Sequence, residues 1–350
     1  MNMLMERLSL SKPVVQAPMA GGMATPQLAA AVSNQGGLGG LASGYLTPEE
    51  LKKQIEETKK RTEAPFQVNL FIPEKRETVS DEQLAAWQKK LPLSEPLAPM
   101  STEKEDWSDF YEKIDIILTA NLNVCSFTFG LPPLDAVKKL KERNCYLIGT
   151  AVSVEEAILL EERGMDFIVV QGSEAGGHRG AFLPTKGEGS VGLMALIPQV
   201  TDHVTIPVIA AGGIFDKRGV KAAFALGAEG VQLGTAFLTC KESGASPLYK
   251  QKLLEATETD TRLTKLFSGK PARGIVNQWM KDRQNDEQDT LPYPYQNTLT
   301  KSMRKKAQLE KKPDNLSLWC GQGVRAAVRE TTVKQLFEQL IPEQLFNKFV

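Results

Sequence analysis

The chain has 350 residues, 41% of them hydrophobic and 24% charged, enough for one large domain or a large one with a small companion. Lys+Arg and Asp+Glu each total 42, so the formal net charge is zero and nothing points to nucleic acid or an anionic membrane surface. No window approaches ~18 uninterrupted apolar residues, so no membrane span is expected. The first residues, Met1-Asn-Met-Leu-Met-Glu-Arg-Leu8, lack the basic head and apolar core of a signal peptide. Cys125, Cys145, Cys240 and Cys320 are widely spaced, with no CxxC pair. They read as reduced thiols, those at 125 and 145 buried, which points to the cytoplasm.

In chain order, short apolar runs alternate with segments of helical spacing. The runs lie at 14–19, 38–42, 66–71, 124–129, 146–152, 167–171, 207–211 and 230–237. Several are apolar throughout, as strands buried on both faces of a parallel sheet should be. Helical spacing appears at 26–34, 48–60, 134–143, 154–163 and 217–226. Thr47-Pro48-Glu49-Glu50 and Ser153-Val-Glu155-Glu156 put a capping hydroxyl before first-turn acids. Gly164 and Gly227 follow two of these helices, where C-terminal caps belong. Eight βα units predict an α/β fold, a (β/α)8 TIM barrel. The competing doubly wound sheet lacks its early GxGxxG fingerprint. Gly36-Gly-Leu-Gly39-Gly40 enters a strand instead of leaving one, and so reads as a tight turn.

Two segments depart from the repeat. Residues at about 73–113 are charged and proline-containing, and predict an insert between the third and fourth strands. Residues 246–335 carry polar helical patterns broken by Leu291-Pro-Tyr-Pro-Tyr-Gln296, and predict a small, mostly helical second domain. The expected division is a barrel over 1–245, the small domain over 246–335, and a C-terminal helix over 336–350 that packs back on the barrel. That helix belongs to an amphipathic pattern running through 332–349, with Pro342 near a bend.

The strand C-terminal ends of such a barrel face its active site. Here they are rich in glycine and amides and nearly free of carboxylates. His178, one of two histidines, lies in Gln171-Gly-Ser-Glu-Ala-Gly-Gly-His178-Arg-Gly180, directly after the sixth strand. A side chain that titrates near neutrality suits proton transfer there. The blander alternative is a loop histidine bonded to nearby backbone. His203, in Thr201-Asp-His-Val204, sits at the opposite end and reads as structural. No aspartate adjoins His178 for a Ser-His-Asp arrangement, and one rim histidine is too few for a catalytic zinc, so no metal is expected. Ala210-Ala-Gly212-Gly213-Ile214 follows the seventh strand, and Gly234-Thr235 ends the eighth. Glycines there let backbone N–H groups approach a phosphate, a recurrent barrel feature. Asn69 and Gln171 close apolar strands, where a buried amide needs partners, either the barrel rim or the polar edge of a flavin.

Together these segments resemble the nitronate monooxygenases. The matching pieces are Gln16-Ala-Pro-Met19, Gln67-Val-Asn69-Leu-Phe71, Ser126-Phe-Thr-Phe-Gly130, the His178 run, Ala211-Gly-Gly213-Ile214, Gln232-Leu-Gly234-Thr235, Pro292-Tyr-Pro-Tyr-Gln296 and Trp319-Cys-Gly321-Gln-Gly323. The resemblance implies an FMN-dependent barrel. Asn69, Gln171, Gly176, Gly213, Gln232, Leu233, Gly234 and Thr235 would bind FMN, Met19 would lie against the flavin, and His178 would be catalytic. Alkyl nitronates such as propionate 3-nitronate would be oxidised by O2 to carbonyl compounds and nitrite or nitrate, without NAD(P)H. The implied partners are thus a small-molecule nitronate and O2, with no nucleic acid and no membrane, and a homodimer is an assembly open to the chain. His178 would either abstract an α-proton or hold the anionic nitronate as a donor. The alternative is an FMN-dependent enoyl-ACP reductase, which shares the barrel and a similar glycine-glycine-histidine loop.

Overall fold

The computed structural model describes residues 2–92, 99–184 and 190–341. Among these described residues the strands are β1 (Val14–Gln16), β2 (Gly39–Ala42), β3 (Phe66–Phe71), β4 (Val124–Thr128), β5 (Tyr146–Ala151), β6 (Phe167–Gln171), β7 (Gly177–His178), β8 (Val208–Ala211), β9 (Gly230–Leu233), β10 (Thr261–Thr264) and β11 (Ala272–Ile275). Eight form one parallel sheet in the order β1-β9-β8-β6-β5-β4-β3-β2. A parallel bridge between Val15 and Leu38 closes it into a barrel. Each of the eight strands lies within an apolar run of the sequence.

The seam between β1 and β2 is short, and a side chain extends it. Gln16, fully buried, donates from Nε2 to Gly40 O (2.9 Å) and accepts from Gly40 N (3.2 Å). Its amide thus stands in for the next rung of the ladder.

Strand alternation sets the interior. Val15, Val124, Ile148, Phe167, Val169 and Ile209 cluster with Leu4 and Leu8. Helix Met3–Leu8, not foreseen from the sequence, therefore plugs the lower end of the barrel. Farther up the same inward faces, at steps of two, stand Gln67 and Asn69 on β3, Ser126 and Thr128 on β4, and Gln171 on β6. The interior thus changes from apolar to polar toward the strand C-termini. Outward positions such as Val68, Phe127, Leu147 and Val170 pack under the surrounding helices.

Those helices begin and end largely as their sequences predict. Thr47 caps Pro48–Lys59 in a full capping box, and Ser153 caps Val154–Glu162. Gly164 and Gly227 adopt φ +91° and +106° just past their helices. Helix Leu193–Thr201 lies between β6 and β8 and ends just before His203.

One expectation needs correction. The insert at 73–113 is shorter than expected. Helix Asp81–Gln88 belongs to it, but helix Glu103–Thr119 returns to the barrel, with Ile114 and Ile117 in the main core. The second region carries a small sheet beside its helices. It contains the antiparallel hairpin β10–β11, to which β7 adds as a third strand. The last helix described is Val333–Leu340, and residues 342–350 of the expected terminal helix lie outside the described residues. Its Val333, Leu336, Phe337 and Leu340 join the barrel's main core. Among the described residues no helix is long and apolar enough to cross a membrane.

Phe337 is fully buried, with its ring 6.3 Å from that of Phe237 and Lys12 Nζ 5.2 Å above it. Phe337→Ala should therefore cost about 3–5 kcal/mol in urea unfolding, as for a core aromatic. A loss under about 1 kcal/mol would mean that this helix only decorates the surface.

Candidate active site

The His178 segment is a strand and not a free loop. Gly177 pairs with Arg273 and His178 with Ala272, so β11 holds the histidine at the barrel rim. Gln171, at the end of β6, braces the same segment from below. Its Nε2 donates to His178 O (3.0 Å) and its Oε1 accepts from Gly180 N (2.8 Å). The buried Arg179 guanidinium returns the link, donating to Gln171 O (3.0 Å) and Gly172 O (2.7 Å).

The imidazole is half-buried. Its Nε2 shares a 2.8 Å hydrogen bond with Ser268 Oγ. Trp319 and Phe129 flank it edge-on, at 5.4 and 6.3 Å between ring centroids. Phe129 adopts φ +73°, a left-handed conformation that bulky side chains rarely take and that tends to collect at functional sites. Lys270 Nζ lies 4.4 Å over the Phe129 ring and pairs with Glu74. Burial, followed by the charges of Lys270 and Arg304, pulls the His178 pKa from its usual 6.5 down to about 3. The ring is therefore neutral at physiological pH. Glu174, near His178 in sequence, turns away and accepts from Leu193 N at 2.9 Å. A cavity opens beside His178, walled by Tyr45, Phe71, Phe129, Lys270 and Tyr293.

A second feature lies where three barrel loops meet the 319–323 segment. Gly213 adopts φ +66°, and a Cβ there would fall 3.2 Å from Glu174 Cβ. Gly176 lies so close to the 320–321 backbone that a Cβ would sit 2.4 Å from Cys320 C. Gln322 N donates to Glu174 O (2.9 Å), and Gly321 N donates to Thr235 Oγ1 (2.9 Å). Gly234 backs onto Met19, whose Sδ would be 3.8 Å from a Cβ added there. Loops after β6, β8 and β9 thus converge with glycines in place of side chains, which suits the close approach of an anionic group. Gln232 and Leu233 are on β9 immediately before this point.

Asn69 is buried below the rim. Its Nδ2 donates to Ser126 Oγ (3.0 Å) and Thr128 Oγ1 (3.2 Å), while its Oδ1 has no protein partner. A buried carbonyl oxygen of this kind calls for a donor, such as the N–H of a ring. The open acceptor and the glycine-lined cradle both fit a flavin. Among the described residues no group of three His, Cys, Asp or Glu side chains is arranged to hold a metal ion. His203 is exposed, with its Nδ1 on Gln199 O at 2.7 Å, remote from these features.

Sequence reasoning missed Ser268 and Lys270, which lie in no motif. Arg304, whose cluster Arg304-Lys305-Lys306 reads in sequence as a solvated helix face, is half-buried and bonded to Asn297. Sequence reasoning quoted the segments of Phe129, Tyr293 and Trp319 without giving those residues roles. Tyr45 carried no signal either. All except Phe129 and Tyr45 come from the second region, and only its folding over the rim brings them to His178.

A family model described as nitronate monooxygenase matches residues 2–343. A probable nitronate monooxygenase of Bacillus subtilis is 60% identical over 345 residues, covering 99% of both chains. The solved structure of a nitroalkane oxidase from Streptomyces ansochromogenes superposes with a TM-score of 0.88 at 35% identity, covering 97% of this chain and 98% of that one. FabK from Thermotoga maritima follows, with a TM-score of 0.78, 30% identity, and 99% and 96% coverage. With the barrel, the rim histidine and the cradle, these matches identify the chain as a flavin-dependent oxidoreductase that belongs to the nitronate monooxygenase family.

Proposed function

We propose that the protein binds FMN and oxidises small alkyl nitronates, of which propionate 3-nitronate is one, with O2 and without NAD(P)H. The observation that carries this reading is His178 at an aromatic cavity that Lys270 also lines, with burial and the charges of Lys270 and Arg304 disfavouring its protonation. An imidazole whose conjugate acid is this strong is a poor base for taking a proton from carbon. The same cations that disfavour a charge on the ring favour an anion beside it. The site is therefore suited to a nitronate already formed, and less to a neutral nitroalkane. This favours His178 as a hydrogen-bond donor to the substrate over His178 as a base.

Asn69 would serve the polar edge of the flavin, and Gly176, Gly213, Gly234 and Thr235 its phosphate, with Met19, Gln232 and Leu233 alongside. Bound FMN supplies the one-electron chemistry, and the protein supplies position and electrostatics. Ser268 fixes the far side of the imidazole. Phe129 and Trp319 fix its plane and keep water from the reacting face. We assign binding of the flavin to a barrel over 1–245 and cover of the site to the 246–335 region. The four buried, unpaired thiols support a reducing compartment, the cytoplasm.

Anaerobic flavin bleaching tests the function. Propionate 3-nitronate alone should bleach the bound flavin, and NADH alone should not. The reverse result would replace this reading with an enoyl reductase. His178→Asn should retain the flavin and lower turnover by about 10²- to 10³-fold, as for loss of a stabilising hydrogen-bond donor. Unchanged turnover would remove His178 from the mechanism.

The pH dependence is also fixed in sign. With a free-enzyme pKa near 3, His178 adds no acid limb near pH 6.5 to kcat/KM for a nitronate, once the substrate's own ionisation is corrected for. A limb at 6.5 would show a ring that titrates normally. The unfolded chain binds a proton at His178 below its ordinary pKa of 6.5, while the folded chain resists it down to about 3. Stability is therefore lost as pH falls through that window, and unaffected by this group above it. His178→Asn should flatten that part of the stability profile measured by urea unfolding between pH 4 and 7.

A further inference from the structure

Gln171 ends β6 with its side chain on the inward face, where a flavin-contacting amide is expected, yet both of its polar atoms are engaged by the protein. The amide nitrogen donates to His178 O at 3.0 Å, and the amide oxygen accepts from Gly180 N at 2.8 Å. These two bonds span the residues on either side of Arg179. They close a ring in which the side chain of Gln171 imitates a paired strand.

Arg179 completes the brace in the opposite sense. Its Nη1 donates to Gln171 O and Gly172 O, at 3.0 and 2.7 Å, so strand end and histidine segment hold each other by side chain to backbone in both directions. Beyond the brace, Gly180 lies against β4 and β5, where an added Cβ would meet Thr150 Cγ2 at 2.8 Å. Farther on, the fully buried Glu156 accepts from Phe182 N (2.7 Å) and Leu183 N (2.9 Å). The segment from 178 to 183 is thus fastened to the barrel at several points. Gln171 is the only one of these fasteners that grips the backbone of His178 itself.

From this we propose that Gln171 is a positioning residue for His178, acting through the backbone of residues 178 and 180. The proposal rests on the reading of His178 as the residue that meets the substrate. A rim histidine misplaced by an ångström is expected to cost up to about 100-fold in rate without loss of the cofactor. A flavin ligand behaves differently, since its removal weakens flavin binding and leaves the remaining loaded sites competent.

Gln171→Leu removes both bonds. Gln171→Glu keeps the shape and the acceptor for Gly180 N but sets an oxygen against His178 O. Three quantities are read for each: the dissociation constant for FMN on reconstitution, turnover of propionate 3-nitronate per bound flavin, and hydrogen exchange of the 176–184 backbone in the flavin-free protein. The expected result is flavin affinity within about threefold of wild type, kcat per flavin down about 10- to 100-fold with KM less affected, and faster exchange confined to 176–184. Gln171→Glu should show the smaller increase in exchange.

Loss of flavin affinity with kcat per bound flavin unchanged would overturn the proposal and make Gln171 a cofactor ligand. Unchanged exchange and unchanged kcat would overturn it as well. If Gln171→Leu does not fold, Gln171→Glu alone decides between the same outcomes. Failure of the nitronate reading would appear separately, as a wild-type protein that does not turn over nitronate, and the exchange and flavin-affinity arms would still report on the brace.

Discussion

Two rungs of antiparallel pairing hold this site together. β7 is two residues long, and its partner β11 lies almost a hundred residues later in the chain. A two-residue strand has no stability of its own, so its geometry is borrowed from both sides. The hairpin supplies backbone pairing from above, and Gln171 with Arg179 supplies it from below. Everything that touches the imidazole follows from this arrangement. Ser268 and Lys270 lie in the connection between β10 and β11, so the same hairpin that aligns the histidine backbone delivers its hydrogen-bond partner and its neighbouring cation.

The barrel interior explains why this rim is the reactive end. Its lower layers are apolar and sealed by Leu4 and Leu8, while its upper layers carry amides and hydroxyls. Polar groups in such a place are stable only when partnered. Most of these groups are partnered by backbone or by one another, and of the two amide oxygens left open Gln67 Oε1 lies deep in the barrel and Asn69 Oδ1 just below the rim. Over it, the aromatic walls lower the local dielectric, and the half-buried Lys270 and Arg304 raise the positive potential. That combination disfavours a charge on the histidine.

The barrel was legible because its signals are local. Apolar runs of strand length, capping hydroxyls before acids, and glycines past helix ends each act within a few residues, and the strands fall where those runs lie. The hairpin β10–β11 was missed for the opposite reason. Thr261-Arg-Leu-Thr264 and Ala272-Arg-Gly-Ile275 carry charge and glycine inside short strands, and their pairing depends on packing against Trp319 and the rim more than on propensity. The helix Met3–Leu8 is too short to announce itself by periodicity and owes its place to the open barrel end it fills. His178 was legible as a rim residue from its position after β6. Its neutrality was not, because both its burial and the charges of Lys270 and Arg304 arise only through the fold.

Amides show most clearly where sequence reading stops. Gln16, Gln67, Asn69 and Gln171 all lie at or near the ends of buried strands, and nothing in their local sequence separates them. Gln16 extends the seam between β1 and β2. Gln67 donates to Gln16 O at 3.2 Å and keeps an unpartnered Oε1 deep in the barrel. Asn69 spends its donors on two hydroxyls and keeps its oxygen open nearer the rim. Gln171 has both ends occupied. An amide whose groups are both satisfied by backbone has a structural or positioning task, whereas one with a buried, open acceptor awaits a ligand or a water. By that criterion, among these four amides the hydrogen-bond inventory leaves Asn69 as the one with both an open acceptor and a place beneath the site.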